Sequence, residues 1–212
     1  MKKKIKPLSG YSPNRKIGLK QALKYVPKNA KILDLGCSKG YLTEFFKNRG
    51  YNIIGTDIVK EDLRIAKSIG LKTIWADFNK KFPFKDNSFD AVVSYEVIED
   101  IYDIEHFFSE VKRILKPGGW FIFSVINTSL WSFRIGYLFG KTPTELQDSH
   151  HIRFYSLSSI KKHLKKYFDI KEIKGLTHFP LLCRLSHAFI FWTPFAKSLF
   201  SLYFYFACKN PD

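Results

Sequence analysis

Cysteine is scarce, with three in 212 residues. Cys37, Cys183 and Cys208 lie far apart and no two stand at ligand spacing, which excludes a disulfide framework and a cysteine-based zinc site and fits a reduced compartment. No metal is expected. Long apolar runs are missing too. The most apolar stretch, Leu181 to Ala207, is broken by Arg184, His187, Pro194 and Lys197, short of the roughly 18–20 uninterrupted apolar residues a spanning helix needs. The basic opening Met1-Lys2-Lys3-Lys4-Ile5-Lys6-Pro7 leads into no apolar stretch, so it reads as a solvated arm and not as a signal peptide. There is no internal repeat, no linker-like composition and no recognised nucleic-acid motif. A cytoplasmic chain is expected.

Acidic residues are also few: 19 Asp and Glu face 35 Lys and Arg, a formal charge of +16. Such a charge attracts polyanions, either nucleic acid or an anionic membrane surface. The lysines are scattered, and pairs such as Lys80-Lys81 and Lys161-Lys162 fall beside presumed helices or turns, where solvated faces carry charge. Nucleic acid is therefore not expected as a partner. What the chain has in plenty is aromatic residues, 17% of the total, with 21 Phe and 11 Tyr. Basic residues beside apolar aromatics suit contact with an anionic membrane surface, so peripheral membrane association is a second expectation.

Apolar runs of strand length alternate with segments of helical period, the pattern of an α/β domain with a mostly parallel sheet. The pattern predicts helices over Pro13 to Tyr25, Tyr41 to Arg49, Lys60 to Ile69, Ile104 to Leu115 and Ser156 to Tyr167, the last capped by Ser156 or Ser158. It predicts strands over Lys31 to Leu35, Tyr51 to Thr56, Lys72 to Ala76, Phe89 to Ser94, Trp120 to Ile126 and Phe168 to Ile173. Pro117-Gly118-Gly119 is read as the stop between the fourth helix and the fifth strand. The close is read as a helix within Leu181 to Leu199 and a strand near Leu202 to Cys208. One domain over 1–212 is drawn, with an N-terminal arm and helix at 1–29, a substrate-lid insertion without clear elements at 127–151, and an aromatic C-terminal helix and strand at 176–212.

The chemistry sits after the first strand. Gly36-Cys37-Ser38-Lys39-Gly40 joins a buried strand to a helix, as a nucleotide-binding turn does. Glycines let the backbone approach a ligand, and a helix N-terminus offers N–H groups to it. An acid ending the next strand, roughly 20 residues on, suits ribose hydroxyls. Asp57 stands there, 21 residues after Gly36.

These residues resemble the first motif of class I S-adenosylmethionine-dependent methyltransferases of the type 11 kind, in the run Ile32-Leu-Asp-Leu-Gly-Cys-Ser-Lys-Gly40. Further segments follow in the family's order: Ile54-Gly-Thr-Asp57, Ala76-Asp77-Phe78 with Phe82-Pro83-Phe84, Phe89 through Asp100, and Leu115-Lys-Pro-Gly-Gly119. The likeness is close over 28–126 and looser over His151-Ile-Arg-Phe-Tyr-Ser-Leu157. It implies a Rossmann-like, doubly wound, seven-stranded sheet, mostly parallel with an antiparallel last strand. It implies S-adenosyl-L-methionine as cofactor, with Gly36, Cys37, Ser38 and Gly40 around its methionine half. Asp57 would take the ribose hydroxyls, Ile58 would flank the adenine, Asp77 and Phe78 would meet the adenine, and Ser94 and Tyr95 would touch the methionine end. The family usually has Gly where this chain has Ser38, and often His where it has Asp100. The expected activity is methyl transfer to a small-molecule, lipid-like or glycan-linked acceptor, at oxygen. A non-catalytic cofactor-binding scaffold and an RNA methyltransferase are the alternatives.

Competing readings attach to single residues. Gly36-x-Ser38-x-Gly40 also matches the nucleophile elbow of α/β-hydrolases, although that elbow follows several strands and leaves Asp57 and Asp77 unexplained. His150 and His151 are the candidate general bases, set against a role tying the loop to the domain. Glu96 and Glu99 either touch substrate or serve capping and packing. Asp34 is expected to anchor the glycine turn, His106 to be structural and Lys39 to face solvent. The aromatic segments Trp131 to Phe139 and Phe189 to Phe206 could form a substrate mouth, a membrane contact or core.

Overall fold

The computed structural model describes residues 13–147, 150–177 and 198–211. Its elements run α1 (Pro13–Tyr25), β1 (Lys31–Leu35), α2 (Tyr41–Lys47), β2 (Asn52–Asp57), α3 (Lys60–Ser68), β3 (Thr73–Trp75) and β4 (Phe89–Ser94). There follow α4 (Ile104–Ile114), β5 (Leu115–Ile126), α5 (Trp131–Leu138), α6 (Pro143–Leu146), α7 (Leu157–Leu164), β6 (Asp169–Thr177) and β7 (Ser201–Lys209). One seven-stranded sheet has the order β3-β2-β1-β4-β5-β7-β6. Strands β1 to β5 are mutually parallel, and β7 alone runs antiparallel, between β5 and β6. The expected architecture, with its antiparallel last strand, is thus the one observed.

Both faces of the central strands are covered, which is why they read as near-continuous apolar runs. All but the first residue of β1, and all but Asp90 of β4, are buried. On one face Phe107, Phe108 and Val111 of α4 and Ile160 and Leu164 of α7 meet Phe121, Phe123 and Phe206 of the sheet. On the other, Leu19 and Ala22 of α1 and Phe45 and Phe46 of α2 meet Ile32, Val93, Ile122 and Ala207. The abundance of phenylalanine is largely a property of the first of these cores, where Phe123 stacks on Phe206 with ring centres 5.0 Å apart. The aromatics of β7 are therefore core: Phe204, Tyr205 and Phe206 are all buried. Cys37 and Cys208 are buried free thiols. Cys183 and the expected helix within Leu181 to Leu199 lie almost wholly outside the described residues. Among the described residues no helix is long and apolar enough to cross a membrane.

Two expectations need correcting. Pro117-Gly118-Gly119 is not a stop before β5 but part of it. Asn210, just past β7, exchanges backbone hydrogen bonds with this segment (Gly118 N–H to Asn210 O, 3.1 Å; Asn210 N–H to Gly119 O, 2.8 Å), so the sheet extends through it. The connection 127–151 is not structureless either, since it contains α5 and α6. Thr142-Pro143-Thr144-Glu145 starts α6 with a capping box and a proline in its first turn, a signal legible in the sequence.

Candidate active site

The chain moves outward from β1 to β2 and β3, then crosses back to β4 on the other side of β1. In open α/β sheets this switch of direction opens a crevice beyond the carboxyl ends of the strands. A cavity of about 530 Å³ lies there. The turn after β1, the end of β2, the segment after β3 and the turn after β4 all line it.

The turn after β1 is built from backbone that L side chains rarely adopt. Gly36 has φ 77°, and a Cβ there would collide with Val97 Cγ2 from the turn after β4. The N–H groups of Gly36 and Cys37 both donate to Thr56 O of β2 at 2.9 Å. Asp57 then ties the turn down: its carboxylate accepts from Ser38 N–H at 2.8 Å and from Val59 N–H at 2.9 Å. Ser38, standing where glycine is usual, has φ 45°. Its hydroxyl donates to Asp62 in the first turn of α3 at 2.7 Å, which offsets the strain. That bond also counts against the hydrolase reading: among the described residues no histidine lines the cavity, and the Ser38 hydroxyl is held by the Asp62 carboxylate instead. Asp34, inside β1, accepts from Thr43 Oγ1 of α2 at 2.6 Å, so it anchors the helix that follows the turn. Burial pushes its carboxyl up to about 7 against that hydrogen bond. Burial likewise raises the Cys37 thiol, with Asp34 and Asp57 adding to the effect, which leaves it inert as a nucleophile.

Gly36, Cys37, Ser38, Asp57, Ile58, Asp77, Phe78 and Tyr95 all line the cavity. Gly40 and Ser94 do not. Gly40 caps α2 in left-handed backbone beneath Leu71, and Ser94 is fully buried behind the wall. Lys39 is exposed, as expected. His150 and His151 do not line the cavity, nor does any residue of 127–147. The segment they open works from behind. The N–H groups of Ile152 and Arg153 donate to Glu99 O at 3.0 and 2.9 Å, and the Arg153 guanidinium donates to the carbonyls of Ile101 and Tyr102. The His-x-Arg-Phe-Tyr run thus straps the turn after β4 in place. His106 sits on α4 outside the cavity, its N–H donating to Asp103 at 3.0 Å.

Glu99 resolves in favour of packing. It is 1% exposed, its Oε1 accepts from Ile126 N–H at 2.7 Å, and its Oε2 is buried with no hydrogen-bond partner among the described residues. Burial pushes this carboxyl up to about 7. A buried acid that keeps its proton in the fold costs stability once the unfolded chain begins to ionise. Glu99 therefore supports the fold fully below about pH 4.5, and that support fades as pH rises toward 7, by at most about 1.4 kcal/mol per pH unit. Glu99→Gln is expected to remove this part of the pH dependence and to melt above the unmodified protein at pH 8. Thermal melts at pH 4.5 and 8 check it, and parallel pH dependence of the two proteins would contradict it.

Sequence reading missed the α1 wall and left Glu96 between a substrate contact and a role in capping or packing. Arg15 and Leu19 of α1 line the cavity, and Arg15 lies over the Tyr41 ring at 5.4 Å. The available signal was Gly18, a glycine inside a helix, where a Cβ would stand 2.5 Å from Tyr95 Cε1. Glu96 lines the cavity with φ 59°, its N–H donating to Ser124 Oγ at 3.0 Å and its carboxylate hydrogen-bonded to the Tyr203 side chain. Among the described residues, six acids (Asp34, Asp57, Asp62, Asp77, Glu96, Asp100) and one cation, Arg15, line a cavity in a protein of net charge +16.

The comparisons with known proteins agree with this geometry. Residues 33–123 match the family model described as a methyltransferase domain. The mitochondrial ubiquinone biosynthesis O-methyltransferase of Homo sapiens is 33% identical over 122 residues, covering 52% of this chain and 32% of that protein. The ubiquinone biosynthesis O-methyltransferase of Pelagibacter ubique is 29% identical over 143 residues, covering 61% of this chain and 60% of that one. The chain thus spans from about a third to under two thirds of the length of the curated relatives it matches. Among solved structures, S-adenosylmethionine-dependent methyltransferases from Mesorhizobium loti (TM-score 0.70, 18% identity, 96% of this chain and 100% of that one) and Archaeoglobus fulgidus (TM-score 0.72, 17% identity, 96% of each) share the fold. Fold, motif order and family match converge: residues 33–123 match a methyltransferase domain, set in the fold that S-adenosylmethionine-dependent methyltransferases share.

Proposed function

We propose that this chain transfers a methyl group from S-adenosylmethionine to an oxygen atom of a small, lipid-like or glycan-linked acceptor. The observation that carries this reading is the charge of the cavity. Among its described residues, a strongly basic protein places six acids and one arginine around the space where the parallel sheet switches direction. A sulfonium and an ammonium suit acids, ribose hydroxyls suit a carboxylate, and a single carboxylate suits a single arginine. The same surroundings disfavour a polyanion in the cavity, which counts against the RNA reading. Its volume of about 530 Å³ falls in the ordinary range for small-molecule and cofactor sites. The relatives named as O-methyltransferases support oxygen as the acceptor atom.

The residues divide the work. Asp57 takes the ribose, Ile58 flanks the adenine, and Asp77 with Phe78 meets the adenine. Gly36, Cys37, Ser38 and Tyr95 surround the amino-acid half, where Arg15 pairs with its carboxylate. Gly40 and Ser94 act through the wall, by starting α2 and closing the end of β4. When bound, the cofactor supplies a methyl group already activated on a sulfonium, so the chain needs chiefly to align the acceptor and keep water out. Alignment of this kind can lower a barrier by about 7–11 kcal/mol in favourable cases. A hydroxyl acceptor must also lose its proton. We assign that proton to Glu96 rather than to His150 or His151, because Glu96 lines the cavity and the histidines stand outside it.

The test is transfer of a tritiated methyl group to a panel of alkyl-tailed phenols, tailless phenols and sugar hydroxyls. Label is expected on oxygen of one of these classes. A protein that binds the cofactor yet labels none of them, or labels RNA instead, would overturn the reading.

A further inference from the structure

We infer that α5 and the residue after it form an anchor that seats this face of the protein on an anionic lipid bilayer. Helix α5 has no buried residue, although its sequence, Trp-Ser-Phe-Arg-Ile-Gly-Tyr-Leu, is mostly apolar. Leu138 and Phe139 are 85% and 82% exposed, and Ile135 is 44% exposed. Exposed apolar side chains clustered in this way mark a contact surface. The helix is nevertheless held firmly. Arg134 Nε donates to Ser129 O at 2.9 Å, Tyr137 Oη donates to Thr128 O, and Ser129 N–H donates to the Asn127 side chain at 3.0 Å. Asn127 in turn donates to Ser201 O at 2.7 Å, at the start of β7. The apolar side chains are therefore presented by a fixed element and need no folding upon contact.

Charge selects the occupant. No Asp or Glu occurs between Glu110 and Glu145, whereas Arg134 and Lys141 flank the exposed apolar residues. A second copy of the chain would bring +16 against +16, while an anionic lipid surface complements both the local and the total charge. Position gives the contact a use. α5 follows directly from the carboxyl end of β5, the same edge of the sheet onto which the cavity opens. A bilayer on this face would stand beside the cavity. The contact itself does not depend on the methyl-transfer reading, and its test reads lipid binding alone.

The full chain is floated with vesicles of phosphatidylcholine and with vesicles of phosphatidylcholine mixed with phosphatidylglycerol. Binding is expected to the mixed vesicles, weakened by salt. The double substitution Leu138→Asp and Phe139→Asp is expected to weaken it at least ~10-fold. Lys141→Gln is expected to weaken it about 5-fold. All variants should keep their melting temperature and their affinity for S-adenosylhomocysteine. Failure of the unmodified chain to float with the mixed vesicles would overturn the inference, as would undiminished binding by the double variant. A fall in melting temperature with unchanged lipid binding would assign the face to the protein's own core. A dimer that the double variant dissociates, without effect on lipid binding, would assign it to a second copy.

Discussion

Replacement of Glu96 by glutamine is expected to lower kcat by roughly 10²–10⁴-fold while leaving cofactor affinity nearly unchanged. Glutamine has the same shape and can still hydrogen-bond Tyr203, but it cannot take a proton from an acceptor hydroxyl. The backbone supports this role. A non-glycine residue at φ 59° is strained by on the order of 1 kcal/mol, and such strain persists where the surroundings over-determine it. Here Ser124 fixes the N–H of Glu96 and Tyr203 holds its carboxylate at the cavity wall. The split between kcat and KM separates proton acceptance from simple positioning. If Glu96 is the base, the variant loses rate while its KM for the acceptor stays nearly unchanged. A variant of unchanged kcat would remove Glu96 from the chemistry.

Replacement of Asp57 by alanine is expected to weaken cofactor affinity at least ~100-fold. A hydrogen bond to a charged group contributes about 1.5–3 kcal/mol, and a ribose offers two hydroxyls to this one carboxylate. The same carboxylate already holds Ser38 N–H and Val59 N–H, so its loss also frees the glycine turn. Asp62→Ala distinguishes the two effects. It releases the Ser38 hydroxyl without touching Asp57, and is expected to weaken affinity far less. Equal losses in both variants would mean that Asp57 acts on the turn and not on the ribose.

Much of the fold could be read from the residues. The bounds of α1, β1 and β4 are as the sequence predicts, because buried parallel strands and apolar residues at helical spacing are local patterns. Asp57 was legible because a strand fixes its distance from Gly36. Glu96 could not be told from Glu99 in the sequence, because a left-handed turn at a glutamate has no local signal; Ser124 and Tyr203, far along the chain, hold it there. Arg15 entered the cavity for a similar reason: the contact of α1 with Tyr95 is a tertiary one, hinted at only by Gly18. The α5 segment escaped notice as a helix because Trp, Phe, Ile, Gly and Tyr are indifferent or poor helix formers. Of the two readings open for the His-x-Arg-Phe-Tyr run, catalytic base or tie of the loop to the domain, its backbone makes the tie, as a strap on the turn after β4.

The most direct measurement is a calorimetric titration of the purified protein with S-adenosylmethionine and S-adenosylhomocysteine, alongside Asp57→Ala. Binding of both ligands at about micromolar affinity, lost in the variant, is the result this account expects. Absence of binding by the folded protein, or equal affinity in Asp57→Ala, would contradict it.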